Sequence, residues 1–372
     1  MTRDLPAWRK VLVLAPSLKS VGGVQNYTTV LLQALRDVLG DEHVRCIEIG
    51  EDAVQRGDGT SSLRTSAKLR FAISAFAAAL SWSPDLVVCA HIGIAPLARY
   101  VHRITRVPYW VILYGIDVWG DLSPAKRAAL KSAARLVAIT RFTLDATINR
   151  HSLGNPPAVI LPPTLSKQSL ARPRADNATN ELRPPVVLTV GRIAASERYK
   201  GHDVMLEAWP AVLRRVPDAE YWIVGGGDDR EHLELRAREL GLSGSVRFLG
   251  SVSSEKLALC YDRCWLFAMP ARTELDGPVP RGEGFGIVYL EAMAFGKPVV
   301  GPQLGAPAEF IRSREHGLLV DPGDPAAVAG AIVELLSDPA RAHEMGMAAK
   351  EWVSSEFSFE SFCARLREAL AK

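Results

Sequence analysis

Residues 281–300 read RGEGFGIVYLEAMAFGKPVV, a glycine-broken loop that runs into an apolar, helix-like segment, with Glu283 in the loop and Glu291 eight positions later. Gly282, Gly284 and Gly286 permit tight backbone geometry and close approach of a ligand, and the apolar run from Ile287 predicts a helix with Glu291 one turn inside. The first amides of such a helix have no intrahelical partner, so with the helix dipole they seat phosphate oxygens. Gly284, Phe285, Gly286 and Ile287 stand at that seat. A carboxylate in the loop and another in the helix would flank whatever the phosphate carries. Carboxylates accept hydrogen bonds from vicinal diols, so a ribose on one side and a sugar on the other make a fitting occupant.

Taken alone, the glutamate pair also fits a solvated helix face, so the surrounding segments matter. The pattern continues through KPVVGPQLGAPAEFI and HGLLVDPGDPAAVAGAIVELLSDP after the pair, VVLTVGRIAASERYKGHDVMLEA before it, and VGGVQNYTTVLLQAL near the N-terminus. In these segments the chain resembles the retaining glycosyltransferases of family 4, whose hallmark is a pair of glutamates separated by seven residues. The resemblance covers nearly the whole chain and is most specific between Val186 and Pro339. It implies an α/β protein of the GT-B class, two Rossmann-like doubly wound domains with a cleft between them.

Length and composition agree with a folded protein of that size. At 372 residues the chain is long for one core, and 48% hydrophobic with 23% charged residues is an ordinary globular composition. MTRDLPAWRK leads directly into VLVLAP without the pattern of a secretion signal, and the longest uncharged apolar stretch, FAISAFAAALSW, is shorter than the roughly 20 residues that span a bilayer. The five cysteines have no framework spacing and point to a reducing compartment. Cys260 and Cys264 could share a helix face but lack neighbours to complete a zinc site, so they read as core. The expected location is cytoplasmic, including the cytoplasmic face of a membrane.

The net charge of +3 conceals an asymmetry, because residues 1–170 carry 20 Lys+Arg against 12 Asp+Glu. A basic N-terminal half suits an anionic neighbour, either a membrane surface or a phosphorylated acceptor. Lys68 and Arg70 start one basic apolar segment, KLRFAISAFAAALSW, and Arg99, Arg103 and Arg106 mark another. The first of these reads equally as a core helix. Nucleic acid is not expected as a partner, since no stacking aromatics alternate with the basic residues and no DNA- or RNA-binding signature is present.

Short β-like runs alternate with helical ones through both halves, which predicts parallel sheets covered on both faces. Boundaries fall at 1–165 for an N-terminal, acceptor-side domain, 166–185 for a linker rich in Pro, Ser, Arg and Asn, and 186–355 for a C-terminal, nucleotide-sugar-binding domain. Residues 356–372 form a final helix with Phe362, Leu366 and Leu370 on one face, which the resembled fold packs back on the N-terminal domain. Pro210 is expected to end or kink its helix.

The resemblance also implies roles. Glu283 would position the donor sugar, Glu291 would hold ribose hydroxyls, and Arg192 with Lys200 would neutralise the donor diphosphate as negative charge grows on it. Fixed cations can do the work of a divalent ion, so no metal and no other cofactor is expected. Gly22 and Gly23 would approach the diphosphate from the other domain, and Val252 would present backbone groups to the base. Where the family commonly has a histidine beside the donor sugar, this chain reads LYGIDVWG, with Tyr114 in that position. Its hydroxyl can exchange hydrogen bonds with a sugar but cannot become cationic near neutral pH. Asp117 would cap or orient that loop, and His91 would either face the cleft or serve as a structural histidine. Asp228 and Asp229 fit a turn and helix start better than an ion cage, and the GGG at 225–227 reads as a strand-end turn.

The implied activity is retaining, metal-independent transfer of a hexose, mannose or glucose, from a nucleoside-diphosphate sugar to a lipid-linked or glycan acceptor in cell-surface polysaccharide or glycolipid synthesis. The insertion TELDGPVPR resembles stretches in some mannosyltransferases of that family, which implies a lean toward GDP-mannose; a plain solvated loop is the other reading, and UDP-glucose is the other donor considered. Two rivals stand beside this: a sugar-phosphate or sucrose-type synthase with a soluble acceptor, and a nucleotide-sugar-binding subunit without turnover.

Overall fold

The run VLVLA at 11–15 forms a strand, β1 (Val11–Ala15), in which no residue is exposed. A strand without polar alternation is buried on both faces, as strands of parallel sheets are. The computed structural model describes residues 8–19, 22–50, 53–55, 61–63, 65–165, 184–276 and 279–371. Of the expected linker, residues 166–183 lie outside them. Contacts divide the chain into two compact units, Met1–Thr164 with Phe359–Lys372, and Leu165–Ser358.

In the first unit β1 is joined by β2 (Val44–Glu48), β5 (Leu86–Cys89), β6 (Tyr109–Leu113), β7 (Arg135–Ala138) and β8 (Ala158–Ile160). All are parallel, in the order β2-β1-β5-β6-β7-β8. A small antiparallel ribbon of β3 (Ala53–Gln55) and β4 (Ser61–Leu63) lies outside this sheet and has no counterpart in the sequence reading. The connecting helices are α1 (Gly23–Leu39), α2 (Thr65–Trp82), α3 (Ala95–Thr105), the single turn α4 (Ile116–Trp119), α5 (Pro124–Lys131) and α6 (Arg141–His151). Ser123 and Thr140 cap α5 and α6, each accepting a hydrogen bond from a backbone N–H of the first turn.

The second unit repeats the scheme with β9 (Val186–Val190), β10 (Glu220–Val224), β11 (Val246–Gly250), β12 (Leu266–Ala268), β13 (Val299–Pro302) and β14 (Gly317–Val320). They form a parallel sheet in the order β11-β10-β9-β12-β13-β14. Counted from β9, this is the doubly wound order 3-2-1-4-5-6. Its helices are α7 (His202–Arg215), α8 (Arg230–Glu239), α9 (Ser254–Arg263), α10 (Ile287–Ala294), α11 (Pro325–Ser337) and α12 (Pro339–Glu356).

Helix α7 runs through Pro210 rather than ending there. An internal proline costs about 3 kcal/mol. Burial of Met205, Leu206, Ala208, Trp209 and Val212 on the core face outweighs that cost, and Trp209 Nε1 also donates to Ser245 Oγ at 3.1 Å. Cys260 and Cys264 are buried free thiols at the end of α9, and Cys264 N–H bonds the Cys260 carbonyl at 3.0 Å.

The last helix, α13 (Phe359–Ala371), belongs to the first unit and packs on α1. Phe362, Leu366 and Leu370 are all buried, and the Phe362 ring meets Tyr27 edge-on with centroids 5.8 Å apart. Truncating such a ring removes its transfer free energy and leaves a cavity. Phe362→Ala is therefore expected to destabilise the first unit by about 3–5 kcal/mol, measured as a lower denaturation midpoint in urea.

Candidate active site

In doubly wound sheets ligands bind beyond the carboxyl ends of the strands, where the strand order reverses. In the second unit that point lies between β9 and β12. The segment after β9 carries Arg192, Glu197 and Lys200, and the chain after β12 leads to the Glu283 loop.

The β9 segment is shaped by the GGG at 225–227. Gly225 (φ 145°) and Gly227 (φ 156°) hold left-handed backbone that disfavours side chains. A Cβ on Gly225 would lie 1.8 Å from the Gly191 carbonyl oxygen, and one on Gly227 2.0 Å from that of Ile193. Hydrogen bonds from Gly191 N–H to Val224 O and from Ile193 N–H to Gly226 O, both 2.9 Å, close the contact. These glycines are thus a packing surface for the 191–194 segment as well as a strand-end turn.

Asp228 and Asp229 fasten the same segment. Asp228 Oδ1 accepts from Ala195 N–H at 2.9 Å, and Asp229 forks the Arg198 guanidinium at 2.8 and 2.6 Å. Asp229 stands at the N-cap of α8, yet its side chain does not cap that helix. The sequence reading of a helix start is right in position and misses the partner.

The chain then winds through a 3-10 turn, Ala195–Lys200. Arg192, ahead of the turn, pairs with Glu197 within it, and the other oxygen of Glu197 lies 3.3 Å from Lys200 Nζ. Lys200 Nζ is also 3.9 Å from Glu283 Oε2. One ammonium therefore joins the two segments that the sequence singled out separately. Glu197 and Lys200 are largely buried, at 11% and 14% side-chain exposure, whereas Arg192 is 78% exposed. Burial raises the Glu283 pKa above the usual carboxylate value and Glu197 adds to the rise, while Lys200, Arg192 and a hydrogen bond from the Phe285 backbone oppose it. Behind the segment is a pocket lined in part by Arg192, Glu197, Arg198, His202, Asp203 and Asp229. His202 is buried there, its pKa lowered to about 4 chiefly by burial and then by Lys200, so it is neutral at physiological pH.

Helix α10 starts at Ile287, and Gly286 takes the left-handed conformation at its N-cap (φ 92°). A Cβ there would meet the Tyr289 ring at 2.7 Å and Glu283 Cγ at 3.3 Å. Gly284 and Ile287 are half-buried. The Phe285 ring is buried, stacked on Phe310 at 4.7 Å and edge-on to Phe357 at 6.0 Å. Its side chain is a core contact, which leaves main-chain atoms to face any ligand. Glu291 Oε2 accepts from the Tyr261 hydroxyl at 2.8 Å, and Tyr261 stacks on Phe295 at 5.5 Å. Val252 is half-buried just beyond β11. The insertion is closed at its base by paired hydrogen bonds of 2.8 Å between Glu274 and Arg281, and its residues 277 and 278 lie outside the described residues.

In the first unit the reversal lies between β1 and β5. Gly22 precedes α1 with extended backbone, and Gly23 is the first residue of that helix, with open space where a Cβ would be. His91 follows β5; its Nδ1 accepts from Gly93 N–H at 3.0 Å, and burial followed by Lys126 lowers its pKa. Tyr114 follows β6, with its hydroxyl 3.4 Å from Thr28 Oγ1 and its ring edge-on to Tyr27 at 5.4 Å. Burial raises its pKa far above the usual tyrosine value, so it stays neutral. Asp117 Oδ1 accepts from Tyr114 N–H at 3.2 Å, while the buried Oδ2 has no hydrogen-bond partner among the described residues.

The first unit also presents an exposed apolar stripe. Leu69, Ile73 and Leu80 of α2 are each about 60% exposed, and Tyr100 and Ile104 of the adjoining α3 are exposed as well. Lys68, Arg70 and Arg103 stand among them on the surface. The sequence offered α2 as a core helix or a basic surface, and it is both: Phe71, Ala75 and Ala79 face inward.

Glu197 and Tyr261 were missed by sequence reasoning. Glu197 had a weak signal in its spacing three before Lys200; Tyr261, 30 positions from Glu291, had none. No group of three or more His, Cys, Asp or Glu side chains arranged to hold a metal occurs among the described residues.

Two parallel, doubly wound six-stranded sheets are the architecture of the GT-B class. Residues 172–352 match the family model described as glycosyl transferases group 1. A GDP-mannose-dependent alpha-(1-6)-phosphatidylinositol monomannoside mannosyltransferase of Mycolicibacterium smegmatis is 33% identical over 266 residues, covering 69% of this chain and 68% of that protein. Its namesake from Mycobacterium tuberculosis H37Rv is 33% identical over 290 residues, covering 74% and 73%. A sucrose-phosphate synthase from Thermosynechococcus elongatus shares the fold at a TM-score of 0.76 with 22% identity, over 97% of this chain and 98% of that one. The chain belongs to the glycosyl transferases group 1 family and is a glycosyltransferase.

Asp117 gives a pH signature. Burial raises its pKa to about 6, against the opposing pull of N–H groups of Tyr114, Gly115 and its own backbone and of Lys126. A raised carboxyl pKa means the folded state holds the proton longer than the unfolded chain, so stability falls as pH rises through the window from about 4 to about 6. Asp117→Asn lacks that titration. Its stability relative to the parent should rise by about 1–3 kcal/mol between pH 4 and pH 7 in urea unfolding, and a flat difference would contradict the assignment.

Proposed function

We propose that this glycosyltransferase moves a mannosyl group from GDP-mannose to a phosphatidylinositol-type, mannose-bearing lipid acceptor, with retention at the anomeric carbon and without a metal ion. The observation that carries the reading is the 33% identity, across about two thirds of each chain, to mannosyltransferases described by that donor and that lipid. The cluster of Arg192, Lys200 and Glu283 at the reversal of the second sheet supplies the chemistry.

In the proposed reaction the bond between the anomeric carbon and a diphosphate oxygen breaks while the acceptor hydroxyl attacks from the same face. Charge develops on the departing diphosphate, where Arg192 and Lys200 stabilise it. A diphosphate oxygen takes the acceptor proton, so no side-chain nucleophile is required. Glu283, tethered to Lys200, holds the sugar, and Glu291, oriented by the Tyr261 hydroxyl, accepts from ribose hydroxyls. Gly22, Gly23, Tyr114, Asp117 and His91, all of the first unit, are the candidates on the acceptor-binding unit. The exposed α2 and α3 stripe, apolar with basic neighbours, suits the surface of an anionic membrane in which such an acceptor resides.

The direct test is turnover of GDP-mannose, against UDP-glucose as control, with phosphatidylinositol mannosides in vesicles. Mannosylated lipid from GDP-mannose supports the reading. Transfer only to soluble sugar phosphates would replace it with a synthase, and nucleotide-sugar binding without turnover would leave a binding subunit. Arg192→Ala is expected to lower kcat/KM by 10²–10³-fold, about 2.7–4 kcal/mol of transition-state stabilisation. Activity should persist in excess chelator, and a strict need for added magnesium or manganese would refute the metal-free account. Sedimentation with anionic vesicles should weaken as salt approaches 0.15 M, where the screening length is about 8 Å, and be absent with neutral vesicles.

A further inference from the structure

Glu197 has no part in the roles assigned above, yet it is the most enclosed carboxylate of the cluster. It pairs with Arg192 through one oxygen and stands 3.3 Å from Lys200 Nζ through the other. Its backbone is pinned in the 3-10 turn by the hydrogen bond from its own N–H to the Ala194 carbonyl, 2.8 Å. Arg192, by contrast, reaches it from solvent. With Glu283 on the far side of Lys200, two carboxylates balance two cations. A diphosphate would therefore enter a cluster whose positive charge is already matched, and it gains contact with Arg192 and Lys200 only as they loosen from Glu197.

We infer that Glu197 is an internal counter-anion that competes with the donor's diphosphate for Arg192 and Lys200 and so weakens retention of the nucleoside-diphosphate product. The inference rests on the proposed placement of the diphosphate at these two cations. The carboxylate acts through Arg192 and Lys200, as a positioning residue that touches neither sugar nor base. Its effect has a sign that a merely structural role does not have. Loss of a structural anchor would disorder the cations and weaken anion binding, whereas removal of a competitor frees them and tightens it.

The test is calorimetric titration of GDP into the parent and Glu197→Gln, with UDP as a second probe and Lys200→Ala alongside. Glu197→Gln should bind GDP about tenfold more tightly, and GDP should inhibit turnover more strongly in proportion. Glu197→Asp, which withdraws the carboxylate by one methylene, should lie between the two, and it serves if the glutamine variant folds poorly. Unchanged or weaker GDP binding in these variants overturns the inference. If Lys200→Ala weakens GDP binding while Glu197→Gln fails to tighten it, this inference alone falls. If Lys200→Ala leaves GDP binding unchanged, the placement of the diphosphate falls and the inference with it.

Discussion

The carbonyl oxygen of Gly191 lies where a methyl group on Gly225 would be, 1.8 Å from the position of its Cβ. That contact fixes how the chain leaves β9, and the chemistry of the second unit follows from it. With any side chain at 225 the 191–194 segment would have to move, carrying Arg192 with it. Because it does not, Gly191 and Ile193 hydrogen-bond across to the β10 exit, Asp228 and Asp229 take hold of Ala195 and Arg198, and the 3-10 turn winds back to bring Lys200 within 3.9 Å of Glu283.

Placement of a shared ammonium between two poorly exposed carboxylates then sets the electrostatics. The attraction is worth more there than at an open surface, because water screens it less. Burial still works against Glu283, whose pKa rises despite its cationic neighbour. The cluster is a compromise between desolvation and pairing.

The architecture was legible in the sequence because parallel strands buried on both faces leave uninterrupted apolar runs, such as VLVLA and VVLTV, and each becomes a strand. The helix after Gly286 was legible for a related reason: the glycine is needed for a left-handed cap and the apolar run begins at the next residue. The partners of these groups were not legible. Nothing in the one-dimensional pattern says that Asp229 prefers Arg198 to the helix it precedes, or that Tyr261 meets Glu291, because both are contacts between elements set by how helices lie on the sheet. Of the two outcomes expected at Pro210, the helix end fails for the same reason. Local propensity argued for a break, and the burial of Trp209 and its neighbours decided otherwise.

Tyr114 shows how a departure from a family pattern becomes physically specific once its neighbours are known. The ring is held edge-on by Tyr27, the hydroxyl faces Thr28, and the backbone N–H is held by Asp117. A group so enclosed, with its ionisation pushed far beyond the physiological range, exchanges hydrogen bonds as a neutral hydroxyl and brings no charge. His91, its pKa lowered by burial and then by Lys126, is likewise a group held towards its neutral form. Within the second unit, the proposed diphosphate would find its positive charge in Arg192 and Lys200, and both are already paired with the Glu197 carboxylate.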